Sequence, residues 1–255
     1  MRVATFNINS INARTPMLIK WLEEQKPDVV LLQEIKTEYN GFPFFEINAA
    51  GYHAAVLGQK GYNGVAVLSK KPIKVCRENL PDFDDFQARY LEVEIGDVVF
   101  SSVYMPNGNP LGSEKYTYKI AFMDAFYNHI SKLLTQKENI VLGGDFNVIL
   151  SSKDVYNENL FKNDALCSED ARKKLTALKY LGLYDAFSLK NKKDFGYTYW
   201  DYGPTAFMSD FGLRIDFLFC SAKIAERLEN CFVDRDLRKQ EKPSDHTALI
   251  ADFEG

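Results

Sequence analysis

Arg89-Tyr90-Leu91-Glu92-Val93-Glu94-Ile95-Gly96-Asp97-Val98-Val99-Phe100-Ser101-Ser102-Val103 decides the fold. Two runs rich in β-branched and aromatic residues are separated only by Gly96-Asp97, and a two-residue link between strands makes a tight antiparallel hairpin. Such hairpins are too frequent in this chain for a single doubly wound sheet, whose parallel strands need long crossovers. Further strand-like runs fall at 2–6, 29–33, 52–57, 64–69, 140–143, 214–220 and 247–251. Helical periodicity marks 15–24, 114–134 and 169–181. In the first of these Pro16 suits an opening turn, and Met17, Leu18, Trp21 and Leu22 supply the apolar stripe. In the second, Tyr118, Phe122, Phe126 and Ile130 recur at steps of four and read as core. Hairpins together with interspersed helices are both accommodated by two sheets packed face to face with helices outside. The expected fold is therefore α+β, a four-layer αβ-sandwich of two packed mixed β-sheets flanked by helices. No repeat, low-complexity tract or linker interrupts the chain, so residues 1–255 are expected to form one domain.

Composition narrows the function classes. With 255 residues, 46% of them hydrophobic, the chain can bury a large core. No run approaches the ~20 apolar residues of a membrane helix. The start, Met1-Arg2-Val3-Ala4-Thr5-Phe6, alternates like a strand and lacks the regions of a signal peptide, so a cytoplasmic protein is expected. Cysteines 76, 167, 220 and 231 have no metal-site spacing; Cys76 and Cys220 read as reduced, buried thiols. Formal charge is −4, from 31 basic and 35 acidic residues, which argues weakly against a nucleic-acid binder. Acids gathered around a cation would account for that sum, and a DNA partner would then need a restricted basic rim and show steep salt dependence.

The chemistry-bearing residues stand at strand ends. Val29-Val30-Leu31-Leu32-Gln33-Glu34 is an apolar run closed by a carboxylate, which needs either a divalent metal or the Lys36 ammonium beside it. Ile140-Val141-Leu142-Gly143-Gly144-Asp145-Phe146-Asn147 repeats the arrangement; Asp145 and Asn147 either orient a water and hold a phosphate oxygen or form an Asx turn. Asp216, in Arg214-Ile215-Asp216, either orients a histidine or pairs with Arg214. Tyr104 and Asn107 end another strand, the phenol being a phosphate donor or a packed aromatic. Asn7 and Asn9 follow the first strand with the same ambiguity, and Asn9 would be a neutral oxygen ligand or a phosphate donor. Of the three histidines, His53 and His129 read as structural or exposed. His246, in Ser244-Asp245-His246, differs: it adjoins an acid, precedes the last strand and lies near Arg238, Lys239 and Lys242, which suit a phosphate-facing loop. Acids, amides and one histidine at successive strand ends are the inputs of a metal-assisted phosphodiester hydrolase.

As an ordered set, Thr5-Phe6-Asn7-Ile8-Asn9, Leu32-Gln33-Glu34-Ile35-Lys36, Tyr104-Met105-Pro106-Asn107-Gly108, Gly144-Asp145-Phe146-Asn147, Tyr197-Thr198-Tyr199-Trp200, Arg214-Ile215-Asp216 and Ser244-Asp245-His246 resemble the exonuclease III and apurinic/apyrimidinic endonuclease family over the full length. The resemblance implies a four-layer sandwich using Mg²⁺ or Mn²⁺ that cleaves duplex DNA 5′ to abasic sites, with 3′-to-5′ exonuclease and 3′-phosphatase activities, and a monomer. By that likeness Glu34 is the principal metal ligand, helped by Asn7, Asn9 and Asp245 directly or through water. Asp145 prepares the attacking water, Asn147 and Asn107 hold the phosphate, Tyr104 contacts it, and His246 paired with Asp216 stabilises phosphoryl charge. Asn7 also serves the substrate, and Tyr199, Trp200, Leu213 and Ile215 correspond to positions near the pocket for an extruded sugar. Phe207-Met208-Ser209-Asp210 departs from related bacterial enzymes: Phe207 can wedge into the duplex, while Asp210 repels phosphates unless it points away. A nonspecific nuclease or a small-molecule phosphatase of the same superfamily would use the same core residues. A non-catalytic DNA-binding module leaves Glu34, Asp145 and Asp245 unexplained beside a polyanion.

Overall fold

The computed structural model describes residues 1–192, 194–203 and 205–255. Its first sheet contains β1 (Arg2–Asn7), β2 (Val29–Gln33), β3 (His53–Leu57), β4 (Val65–Ser69), β11 (Leu228–Val233) and β12 (Leu249–Phe253), ordered β11-β12-β1-β2-β4-β3. The second contains β5 (Lys74–Glu78), β6 (Tyr90–Ile95), β7 (Val98–Tyr104), β8 (Ile140–Asp145), β9 (Leu183–Asp185) and β10 (Asp216–Ser221), ordered β5-β6-β7-β8-β10-β9. Each sheet has one parallel pair, β1 with β2 and β7 with β8, among antiparallel neighbours. The crossover helices are α1 (Ile11–Gln25) and α3 (Glu114–Gln136). Four further α-helices, α2 (Phe44–Ala49), α4 (Glu169–Tyr180), α5 (Ala186–Lys190) and α6 (Ala222–Glu226), complete the described α-helical set.

The expected four-layer sandwich is what these elements build. Between the sheets, Leu31, Val67, Val93, Phe100, Val141 and Leu218 interdigitate. Phe122, Phe126 and Ile130 of α3, with Leu175 and Leu178 of α4, cover the outer face of the second sheet. Leu18, Trp21 and Leu22 of α1 cover the first. Gly143 is what lets the sheets approach: a Cβ there would lie 2.5 Å from Leu31 Cδ1 and 2.8 Å from Leu218 Cδ2. The hairpin that decided the fold is present, with Ile95 opposite Val98 across Gly96-Asp97.

Several local expectations are corrected. Helix α1 begins at Ile11, so Pro16 lies inside it rather than in its opening turn. Tertiary contacts set that start, because the Ile8, Ser10 and Ile11 N–H groups donate to the carbonyls of Gln33, Glu34 and Ile35. Strand β5 escapes sequence reading because every residue in it is exposed, and Cys76 on it is exposed rather than buried. Cys220 is buried as expected. His129 is buried too, with its Nε2 2.6 Å from Glu92.

Strand β10 begins at Asp216, two residues later than read, because Arg214 leaves the sheet for other partners. Its Nε donates to Asp154 at 2.6 Å and its Nη1 to Asp185 at 2.8 Å, so the alternative pairing of Arg214 with Asp216 is not formed. All three groups are buried, and removing the cation strands two carboxylates in a low dielectric. Arg214→Met is therefore expected to destabilise the fold by about 3–5 kcal/mol in urea titration. A loss below about 1 kcal/mol would mean that both aspartates are satisfied some other way.

Candidate active site

Both parallel pairs end on the same edge of the sandwich, and ligand sites form beyond the carboxyl ends of parallel strands. Asn7 ends β1 and Asn9 follows it, Glu34 follows β2, Tyr104 ends β7 with Asn107 in the loop after it, and Asp145 ends β8 with Asn147 in the loop after it. Asp216, opening β10, stands opposite Asp145 in register. His246 precedes β12 and bridges to Tyr199. The chain turns sharply here: Asn9, Glu34, Lys36 and Asn147 have φ of 47°, 49°, 53° and 48°. Left-handed backbone at non-glycine residues costs about 1–3 kcal/mol each and persists where surrounding contacts enforce it.

Those contacts form one network. The Asn7 amide donates to Glu34 Oε1 at 2.8 Å and to Asp145 Oδ2 at 3.0 Å. Asp145 Oδ1 accepts the Asn147 N–H at 2.9 Å, so the Asx turn exists and is part of the site. Asn147 does not continue the strand; its left-handed backbone sends its amide to the Met105 carbonyl at 2.9 Å and leaves its Oδ1 to accept from Asn107 at 3.3 Å. His246 Nδ1 lies 2.8 Å from Asp216 Oδ2, which also accepts from the Thr198 hydroxyl at 2.6 Å. His246 Nε2 is 3.7 Å from Asp145 Oδ2. One ligand atom each from Glu34, Asp145 and His246 all fall within 4.8 Å of one another. Sequence positions separated by more than 200 residues thus share one cleft of about 330 Å³.

Charge in the network follows from burial and proximity. Burial raises the Asp145 carboxyl above its ordinary range, opposed by His246 and reinforced by Asp216 and Glu34. Burial opposes charge on His246, yet Asp216 and Asp145 outweigh it and push the imidazole up to about 10. A protonated ring donates from both nitrogens, which suits phosphate oxygens. Burial, Glu34 and Asp145 hold the Tyr104 phenol well above its ordinary value, so it stays a donor.

A hard divalent cation fits the donor chemistry. Glu34 and Asp245 are carboxylates and Asn9 offers an amide oxygen, as such ions prefer. The Lys36 ammonium lies 3.0 Å from Glu34 Oε2 and 2.6 Å from Asn9 Oδ1, so this corner already attracts a cation. Asn9 also donates to Asp245 at 2.8 Å, which ties that acid to the cluster. Asn7 is different: its nitrogen faces the two carboxylates and its oxygen accepts the Asn9 N–H at 3.1 Å. In this arrangement its side chain orients the two carboxylates.

The damage-pocket residues divide. Tyr199, Leu213 and Ile215 line the cleft, and the Tyr199 ring meets His246 edge-on at 5.0 Å. Trp200 is fully buried, donates from its indole to Asp210 at 3.0 Å and does not line the cleft. Phe207 is half-buried and packs edge-on against it at 5.1 Å. Asp210 is neutralised by Arg235 at 2.8 Å. Arg238 is likewise spent inside, donating to the Ser244 and Trp200 carbonyls. Sequence reading missed Asn109, Phe161, Asp164 and Leu166, which complete the cleft lining. The turn-forming Asn107-Gly108-Asn109-Pro110 could have flagged the first; the others sit among short 3₁₀ turns with no periodicity.

A four-layer sandwich with carboxylates, amides and one imidazole at a shared strand edge defines a metal-assisted phosphoester hydrolase. The chain belongs to the endonuclease/exonuclease/phosphatase family, whose model matches residues 4–246. It is 34% identical to exodeoxyribonuclease III of Haemophilus influenzae, over 99% of this chain and 100% of that protein. Among solved structures it is similar to the 3′ phosphatase NExo from Neisseria bound to product DNA hairpin, at 33% identity and TM-score 0.97, with 100% of both chains covered. An AP endonuclease from Archaeoglobus fulgidus is similar at 33% identity and TM-score 0.96, again over 100% of both chains.

Proposed function

We propose that this protein is a DNA repair phosphodiesterase that incises duplex DNA 5′ to abasic sites and also trims 3′ ends as an exonuclease and 3′-phosphatase. Its full-length likeness to exodeoxyribonuclease III supports a hydrolytic nuclease dependent on a divalent metal. The observation that carries the reading is the meeting of Glu34, Asp145 and His246 within 4.8 Å at the end of both sheets.

In this reading Asn107 and Asn147 grip the phosphate oxygens, and the Tyr104 phenol donates to the same group. Asp145, raised by burial, takes a proton from the water that attacks phosphorus in line with the departing 3′ oxygen. The His246 imidazolium, held by Asp216, stabilises charge on the phosphoryl oxygens. Glu34, Asn9 and Asp245 would hold Mg²⁺ or Mn²⁺, which when bound withdraws charge from the phosphate and the leaving oxygen. Products are a 3′-hydroxyl and a 5′-deoxyribose phosphate, without a covalent enzyme intermediate. Leu213, Ile215 and Tyr199 offer an apolar wall to a base-free sugar. The family likeness carries the expectation of a monomer. No helix is long and apolar enough to cross a membrane among the described residues, and four free cysteines suit a reducing cytoplasm.

The test compares labelled duplexes carrying one abasic analogue, no lesion, or a recessed 3′ end, with Mg²⁺ and with chelator. Incision at the analogue that disappears in chelator is the expected result. Equal cutting of the intact duplex would make this a nonspecific nuclease, and turnover of small phosphate esters alone would make it a phosphatase.

A further inference from the structure

Lys119 on α3 is fully buried, a position where lysine is rare unless its charge is compensated. Its three donors go to three backbone carbonyls: Asn107 at 3.0 Å, Asn147 at 2.6 Å and Ala165 at 3.3 Å. Each carbonyl belongs to a different segment. Asn107 lies in the loop after β7, Asn147 in the loop after β8, and Ala165 opens the 3₁₀ turn that brings Leu166 to the cleft. The stem is confined as well, since a Cβ on Gly108 would lie 2.6 Å from Lys119 Cδ.

We propose that Lys119 is a positioning residue for phosphate capture, a buried strut whose ammonium sets the spacing between the Asn107 and Asn147 amides and fastens both to the cleft wall. The inference rests on the reading of those asparagines as phosphate holders. An ammonium suits the task because it offers three donors and no acceptor from one point, whereas the donors of arginine lie in a planar fork. Asn147 needs such a tie, because its left-handed backbone would relax if its carbonyl were free. Burial lowers the Lys119 pKa to about 8, with Asp145 and Asp164 opposing, so the charged form prevails at neutral pH.

Full-length Lys119→Met and Lys119→Gln are to be compared with Asn107→Ala and Asn147→Ala on the abasic-analogue duplex, reading kcat, KM and melting temperature. Methionine keeps the stem and deletes every donor; glutamine keeps two. Lys119→Met is expected to lower kcat by about 10–100-fold, the scale of a small misplacement of reacting groups, with KM changed less than about three-fold. Lys119→Gln should recover at least about three-fold of that loss, which a purely packing role would not produce. Wild-type kcat in Lys119→Met, with Asn147→Ala strongly impaired, overturns the strut alone. Wild-type kcat in both asparagine variants overturns the phosphate-holder reading and the strut with it. If Lys119→Met does not fold, Lys119→Gln decides: lowered kcat at unchanged melting temperature supports the strut, and wild-type kcat refutes it.

Discussion

Asp145→Asn is expected to lower kcat for abasic-site incision by about 10³-fold or more, within or beyond the range that loss of a general base produces. The carboxylate is buried and its two oxygens already serve the Asn147 N–H and the Asn7 amide. Asparagine keeps the volume but removes the proton acceptor, and its single oxygen satisfies only one of those donors. Removing a negative charge from beside the phosphate leaves DNA affinity equal or tighter. Single-turnover rates with saturating enzyme, alongside a binding titration in Ca²⁺, separate these effects. A rate within ten-fold of wild type would remove Asp145 from the chemistry.

His246→Ala is expected to cost about 10²–10⁴-fold in kcat, the range for a donor aimed at developing charge and for acid-base groups. Asp216→Asn should follow it in part, because Asp216 fixes the ring through Nδ1 at 2.8 Å and favours its charged form. The double variant should lose little more than His246→Ala, since Asp216 acts through the ring. Losses that multiply would give Asp216 an independent role. The pair also has a stability signature in chelator. The His246 pKa is raised to about 10, above its unfolded value of about 6.5, so its contribution is fully present below that lower value and is lost as pH rises through the upper one. Melting temperature should therefore fall more steeply from pH 7 to 10 in wild type than in His246→Ala, and parallel curves would count against a charged ring.

Strand pattern, hairpin and helix stripe were legible in the chain because they are local. The period-two runs, the Gly96-Asp97 turn and the Tyr118 to Ile130 stripe each report their environment within a few residues. The chemical residues were legible as kinds: Glu34, Asp145, Asp216 and His246 stood out as polar groups at the ends or starts of apolar runs, where burial demands a partner. Which partner each takes was not legible. Glu34 had a metal and Lys36 as candidates, and its corner accommodates both chemistries; Asp216 had His246 and Arg214, and only the turn of Arg214 toward Asp154 and Asp185 decided between them.

The role of Trp200 went the same way, since an indole in a plausible pocket motif proved to be packed beneath the wall. Lys119 gave no signal at all: on a helix it reads as one more surface lysine, and its three carbonyl partners come from segments brought together by folding. By itself the sequence determined the layers, the element types and the inventory of reactive groups, because propensity and periodicity act over short stretches. Tertiary structure alone decided the pairings, the charge states and the shape of the cleft, because these depend on distances between atoms that the chain order leaves free.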